Sequence, residues 1–343
     1  MSTAARVTTI PWDWYVSPEI LRREQELIFR SAWHYAGPLE WVAEPGRRFP
    51  CNAGTAPVVV VRGTDGELRA FLNVCRHRGS VIVKERGVAK TLQCPYHAWT
   101  YGLDGCLLSA PRAEREEDFD PDVLGLRSVL VDTWGPCVFV NVDLEAAPLA
   151  ESLGPIPSLV DPGSLVFRER ADLEVAANWK VAVENYLECY HCPVAHKAFS
   201  ALVDVEPDSY RLEVIDDVLS QFGERRGDGD GGAACQFHLV WPALKVIVYP
   251  GIQNLSLGPV WPVGPERSAG FLDYFFGPDV SAEDIREFVE FDDQVGREDR
   301  ELVESVQRGL GSGLLDHGRL LLDSELLIGA FEARVASVLS PTL

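Results

Sequence analysis

Cys75-Arg-His77, a gap of sixteen residues, and then Cys94-Pro-Tyr-His97 decide how this chain is read. Each half offers one thiolate and one imidazole. Two cysteines suit one iron of a [2Fe–2S] cluster and two histidines suit the other. Neutral imidazoles in place of two thiolates raise the reduction potential and make such a cluster an electron relay. The competing reading is a structural Cys₂His₂ zinc site. Zinc motifs usually open with two cysteines a few residues apart, whereas here the ligand types alternate. Phe71-Leu-Asn-Val74 reads as a strand running into a tight loop, with Gly79 free to take a positive φ. Pro95 stiffens the second loop, whose backbone N–H groups can point at cluster sulfurs.

A relay needs a destination, and the stretch from Asn178 to His196 supplies a candidate. Read as one helix, Glu184, Glu188 and His191 are spaced i, i+4, i+7 and share a face. Pro193 biases Cys192 away from helix, which predicts an end near His191 and a return of His196 from the following loop. Of the seven histidines, four (His77, His97, His191 and His196) fall inside these two motifs, a concentration that favours metal binding. Two imidazoles and a carboxylate form the facial triad of non-haem Fe(II) oxygenases. The third ligand is sought on a helix predicted from Ser281 to Leu310, with Ser281 and Asp284 as its cap pair. Its apolar stripe runs Phe288, Phe291, Val295, Leu302 and Val306, and Asp299 occupies the stripe between Val295 and Leu302. An unpaired carboxylate there is costly unless a cation compensates it. Asp292, Asp293 and Glu298 fall off the stripe and read as solvated charges.

Together the loops around Cys75, His77, Cys94 and His97 resemble the Rieske domain of ring-hydroxylating oxygenases. The chain as a whole resembles the terminal oxygenase (α) component of Rieske non-haem iron oxygenases. The resemblance implies a [2Fe–2S] cluster on those four residues and mononuclear Fe(II) on His191, His196 and Asp299. It also implies that Glu188, three residues before the first iron histidine, bridges to a neighbouring subunit's cluster histidine. Glu188 and Asn185 are the candidate catalytic residues. A glutamate in the context Glu188-Cys-Tyr-His-Cys192 resembles the branch that oxidises quaternary ammonium compounds such as carnitine or betaines; the aromatic-ring dioxygenases have aspartate there. The implied partners are O₂, a small organic substrate, and a separate NAD(P)H-dependent reductase or ferredoxin, and the implied assembly is a homotrimer. The alternatives are an aromatic-ring dioxygenase, an electron-transfer metal protein without catalysis, and a zinc hydrolase built on His191 and His196.

Composition fits these expectations. The 343 residues predict two domains, and 46% hydrophobic content is ordinary for a globular protein. No apolar run is long enough to span a membrane and no N-terminal signal pattern appears, so a cytoplasmic protein is expected. The net charge of −21 disfavours nucleic acid. Six further cysteines (Cys51, Cys106, Cys137, Cys189, Cys192, Cys235) show no disulfide framework; Cys189 and Cys192 read as packing around the iron site.

The expected class is α+β: a helical lead-in over 1–36, a Rieske β-sandwich over 37–145, and a catalytic domain over 146–343. In the last, a curved antiparallel sheet surrounds helices in helix-grip fashion. Its best strands are Val240–Val248 and Phe271–Phe276, and a terminal helix is expected near 320–338. Gly227–Gly232 reads as a mobile loop without the context of a phosphate-binding loop. Trp241, Tyr249, Trp261, Tyr274, Phe275 and Phe276 are candidate pocket walls, able to hold an arene or to cage a quaternary ammonium ion.

Overall fold

The computed structural model describes residues 7–227 and 235–340. The glycine-rich loop expected at Gly227–Gly232 lies, beyond Gly227, outside the described residues. The chain divides into two compact units, Phe29–Leu149 and a second made of Met1–Ile28 with Ala150–Leu343.

Val58, Val59, Val60 and Val61 organise the smaller unit. All four are fully buried, which only a central strand covered on both faces can achieve. Their strand, Ala56–Arg62, lies between Arg47–Ala53 and Leu68–Leu72 in a seven-stranded antiparallel sheet. Val58 and Val60 pack with Phe49, Val129, Val138 and Val140 on one face. Val59 and Val61 pack on the other face with Phe71, Leu92, Trp99 and Tyr101, in the cluster that also buries Cys75 and Cys94. A small sheet of Leu92–Gln93, Thr100–Tyr101 and Leu107–Ser109 carries the second ligand loop. The expected lead-in over 1–36 differs from what is seen. Its helix, Pro18–Glu24, continues as a π-turn only to Phe29, and His34–Pro38 is already an edge strand of this sheet.

The larger unit is built on an eight-stranded antiparallel sheet. In order it runs Val166–Val175, Arg267–Phe276, Asn254–Gly264, Leu244–Val248, Cys235–Val240, Val218–Arg225 and Val203–Asp204, with Arg211–Ile215 also pairing to Val218–Arg225. The single strand expected over Val240–Val248 is in fact two strands. A turn at Trp241-Pro242-Ala243, with a cis Pro242, folds Leu244 back against Val240. The three longest described helices of this unit accompany the sheet: Trp179–Tyr186, Ala282–Leu310 and Leu326–Leu339. The long helix begins as predicted, with the Ser281 hydroxyl accepting the Asp284 N–H at 3.1 Å.

One buried ion pair ties this unit together. The Lys180 ammonium, fully buried, donates to Glu24 at 2.6 Å and to the Trp14 carbonyl at 3.1 Å. Glu24 also accepts the Trp179 indole N–H at 2.8 Å, so the N-terminal helix is tied to the helix Trp179–Tyr186. Losing either partner would leave an uncompensated buried charge, a cost of about 3–5 kcal/mol.

Candidate metal centres and active site

The two ligand loops of the smaller unit share one backbone pattern. The Cys75 N–H donates to the Ser80 carbonyl at 2.8 Å and the Gly79 N–H to the Cys75 carbonyl at 3.0 Å. In the second loop Cys94 donates to Trp99 at 2.8 Å and Ala98 to Cys94 at 3.1 Å. Each loop turns on a left-handed residue, Gly79 at φ +73° as predicted and Ala98 at φ +57°. Both cysteines are buried, whereas the His77 ring is exposed and lies 4.6 Å from that of His97, so the imidazole end is the end that meets the surface. Burial opposes ionisation of Cys94, but N–H groups of Tyr96 and His97 aimed at its sulfur outweigh that and lower its pKa. The Tyr101 hydroxyl accepts the Arg76 N–H at 3.0 Å and lies 3.3 Å from Cys75 Sγ. That hydroxyl was not singled out from sequence; its signal is a tyrosine on the strand leaving the second loop. A single zinc ion would draw all four ligand atoms together. Among the described residues, the group whose donor atoms converge within 4.8 Å is instead His191, His196 and Asp299. Two buried sulfurs receiving N–H and O–H groups, with two imidazoles toward the surface, fit a two-iron cluster better than zinc.

The helix carrying the second motif stops sooner than its spacing predicts. It ends at Tyr186, whose carbonyl accepts a 2.6 Å bond from the Gln221 side chain on the sheet. Glu184 therefore shares no face with the histidines. It lies 2.7 Å from the Tyr15 hydroxyl, which sits between it and Glu332 at 3.2 Å. Glu188 sits in the bend beyond the helix, and His191 precedes the short helix Cys192–Ala195. His196 separates that helix from Lys197–Leu202. Cys189 and Cys192, expected as separate packing thiols, are joined as a disulfide across this bend, with Cα atoms 5.0 Å apart.

This bend and the long helix bring the predicted triad together. The Nε2 atoms of His191 and His196 are 3.1 Å apart, and Asp299 Oδ1 lies 2.9 Å from the second and 3.4 Å from the first. Each imidazole is held from behind by a carboxylate, His191 Nδ1 by Glu188 and His196 Nδ1 by Glu298 at 2.7 Å. With each Nδ1–H donated outward, both Nε2 atoms and a carboxylate oxygen face one point, an arrangement that repels itself unless a proton or a metal cation occupies it. Three neighbouring ligands of an octahedral ion with bonds of about 2.1 Å stand about 3 Å apart, close to what is seen. Burial disfavours a charged His191, but its bonds to Asp299 and Glu188 prevail and raise its pKa to about 9. Burial likewise opposes charge on Asp299, yet the two imidazoles hold its pKa well below the carboxylate range. Each partner thus stabilises the charge of the other, as a dication would stabilise Asp299.

Two carboxylates on the long helix were misread as solvated. Asp292 is buried and accepts hydroxyls from Tyr249 at 2.8 Å and Tyr274 at 2.7 Å. Glu298 is the acceptor behind His196. Asp293 is exposed and pairs with Arg297 on the same helix, as expected of a solvated charge. The stripe itself turns after Asp299: Val303, Gln307 and Leu310 are buried while Leu302 and Val306 are exposed. A spacing of four between Val295, Asp299 and Val303 explains how the acid stays on the inner face.

The triad opens on a cavity of about 190 Å³, lined also by Asn185, Glu188, Lys245 and Gly258. Of the expected aromatic walls only Tyr249 and Tyr274 line it; Trp241, Trp261, Phe275 and Phe276 do not. Its other rings, Tyr186, Phe199, Tyr210, Phe237 and Phe271, come from segments far apart in sequence.

A family model described as the Rieske [2Fe–2S] domain matches residues 32–130, and one described as the ring-hydroxylating alpha subunit catalytic domain matches 162–233 and 220–341. The carnitine monooxygenase oxygenase subunit of Escherichia coli (strain K12) is 33% identical over 92% of this chain and 88% of its own length. This chain is a Rieske non-haem iron oxygenase. Within that family it is also similar to the chloroplastic choline monooxygenase of Spinacia oleracea, 33% identical over 92% of this chain and 75% of the relative. Among solved structures, the quaternary ammonium Rieske monooxygenase CntA superposes with a TM-score of 0.89 at 32% identity, covering 96% of this chain and 95% of CntA. Naphthalene 1,2-dioxygenase from Rhodococcus sp. is 19% identical with a TM-score of 0.82, covering 98% of this chain and 95% of its own, a likeness of fold alone. This Rieske oxygenase therefore uses a [2Fe–2S] cluster and a mononuclear iron, and depends on a separate reductase. No described helix is long and apolar enough to cross a membrane.

Proposed function

We propose that this chain is the terminal oxygenase of a system that hydroxylates or oxidatively demethylates a quaternary ammonium compound. The observation that carries the reading is the convergence of His191, His196 and Asp299 on the wall of one small cavity. The similarity to carnitine and choline monooxygenases supports the substrate class. In this reading Cys75, His77, Cys94 and His97 hold the cluster, and the three converging residues hold the iron. When bound, the iron supplies O₂ activation with electrons passed on by the cluster.

The chain's own residues do the rest. Glu188 and Glu298 fix the imidazole tautomers by accepting Nδ1–H, which keeps each Nε2 free as a donor atom. Asn185 faces the cavity and makes no hydrogen bond to a described residue, which leaves its amide for the substrate or water. Tyr249 and Tyr274 give their hydroxyls to Asp292 and so present ring carbon to the cavity. One oxygen atom enters a C–H bond and the other leaves as water, with two electrons and two protons consumed. Where that C–H is on an N-methyl group, the hydroxylated product loses formaldehyde and leaves the demethylated amine. Glu188 is also the link to the cluster of a neighbouring subunit in a homotrimer, a reading supported by CntA, described with inter-subunit electron transfer.

Low-temperature EPR of dithionite-reduced protein, with iron and sulfide quantified, tests the metal assignments. A Rieske-type signal with about three irons and two sulfides per chain is expected; a colourless, zinc-loaded protein refutes them. Turnover of γ-butyrobetaine, L-carnitine and choline with an added reductase, followed by O₂ uptake and product, tests the substrate class. Oxidation of none of these while an arene is oxidised overturns it.

A further inference from the structure

One charge in the cavity has no part in the proposed chemistry. Lys245 sits near the start of the strand Leu244–Val248, and its side chain lines the same cavity as the triad. Among the described residues it makes no hydrogen bond and no ion pair; its ammonium lies over the Tyr186 ring, 4.9 Å from the centroid. The carboxylates whose charge reaches it are Asp299 and Asp292, and both are engaged, the first with two imidazoles and the second with two phenols. Burial accordingly draws its pKa below the ordinary lysine value, because nearby charge only partly offsets the loss of water. The contrast with Lys180, whose ammonium is met by Glu24 and a carbonyl, is direct.

The strand opposite supports the same conclusion. Gly258 is the cross-strand partner of Lys245 and also lines the cavity. A Cβ at that position would stand 2.7 Å from Leu272 Cδ1 and 3.7 Å from Lys245 Cβ, so glycine keeps the space beside the lysine stem open. Arg300, next to Asp299, is a second cation lining the cavity, and its Nε has no partner among the described residues. A purely cationic substrate would add positive charge beside two unanswered cations. A zwitterion does not: its anionic end answers the lysine while its ammonium end turns away.

We propose that Lys245 is a specificity-determining residue that binds the carboxylate of a betaine-type substrate, one carrying both a quaternary ammonium and an anionic group. The inference rests on the quaternary ammonium reading above and narrows it against choline-type alcohols. Its test uses γ-butyrobetaine and its methyl ester, which share the trimethylammonium group and differ in the negative charge. Steady-state kinetics are measured with the metal-loaded enzyme and its reductase for the wild type, Lys245→Met and Lys245→Arg.

In the wild type the acid is favoured over the ester in kcat/KM by about tenfold to a hundredfold, the range of a charge-assisted hydrogen bond. Lys245→Met collapses that ratio mainly through KM for the acid, and Lys245→Arg retains most of it. A wild type that oxidises both compounds without preference overturns the proposal even if the methionine variant does not fold, and leaves the quaternary ammonium reading intact. A preference that persists in a folded Lys245→Met enzyme also overturns it and moves the anion site to Arg300. Oxidation of neither compound while choline is turned over overturns this inference and leaves the quaternary ammonium reading intact; oxidation of none of the three defeats both.

Discussion

Replacing Glu298 by alanine should weaken mononuclear iron without touching the cluster. Glu298 contacts no converging donor atom; it holds His196 from behind through a 2.7 Å bond to Nδ1. Removing it frees the imidazole to rotate or to adopt the tautomer that protonates Nε2, either of which must be reversed before metal can bind. Losses of this kind of partner typically cost 10–100-fold in metal affinity, or about 1.4–2.7 kcal/mol. The Glu298 side chain is 29% exposed, so water can replace part of the lost bond and the effect should fall near the lower end, about tenfold. Glu298→Gln should lose less, because its amide oxygen can accept the same N–H. The assay is equilibrium competition for Fe(II) against a chelator of known affinity, with the Rieske absorption bands as an internal standard. Equal iron affinity in Glu298→Ala and wild type would refute the argument that this carboxylate positions His196. Loss of the Rieske bands would instead show a folding defect, and the glutamine variant would then decide.

Four further outcomes follow from the same geometry. Asp299→Ala removes the carboxylate that faces both Nε2 atoms, and total iron should fall from about three to about two per chain; full occupancy by plasma emission spectrometry would move the third ligand elsewhere. Glu188→Gln should retain both metals yet break the coupling of cluster oxidation to product in single-turnover stopped-flow; unchanged turnover would sink the bridge assignment. Tyr101→Phe deletes the hydroxyl 3.3 Å from Cys75 Sγ. If that bond favours the reduced cluster by about 1 kcal/mol, the potential should drop by about 40 mV in a redox titration. Asp292→Ala leaves two buried phenols without their acceptor, about 1–3 kcal/mol each. Its urea midpoint should fall and be partly restored by adding Tyr249→Phe and Tyr274→Phe, and no change in the midpoint would count against the carboxylate as their anchor.

Much of the proposed metal chemistry was legible because most of its candidate ligands are local. Cys75 and His77 sit in one turn and Cys94 and His97 in another, so four residues announce both loops before any tertiary contact is considered. Asp299 was legible for a related reason: a long helix has a fixed period, and an acid on its inner face stands out. Glu298, one residue away, did not, since its role comes from the histidine that happens to lie beside it. The helix end at Tyr186 was missed because nothing local stops it. Its last carbonyl is taken by Gln221 from another element, and the tertiary bond won over the spacing of Glu184, Glu188 and His191.

Sequence by itself therefore determined the α+β class and the cap of the long helix, and proposed the two metal-binding motifs, from patterns legible within single segments. Only the tertiary structure decided which carboxylates back the imidazoles, which aromatic rings reach the cavity, and that Lys245 stands there without an ion pair among the described residues. Those are properties of distances between segments that are far apart along the chain. No short-range pattern encodes them, because the free energy of a buried charge depends on what the whole fold places next to it.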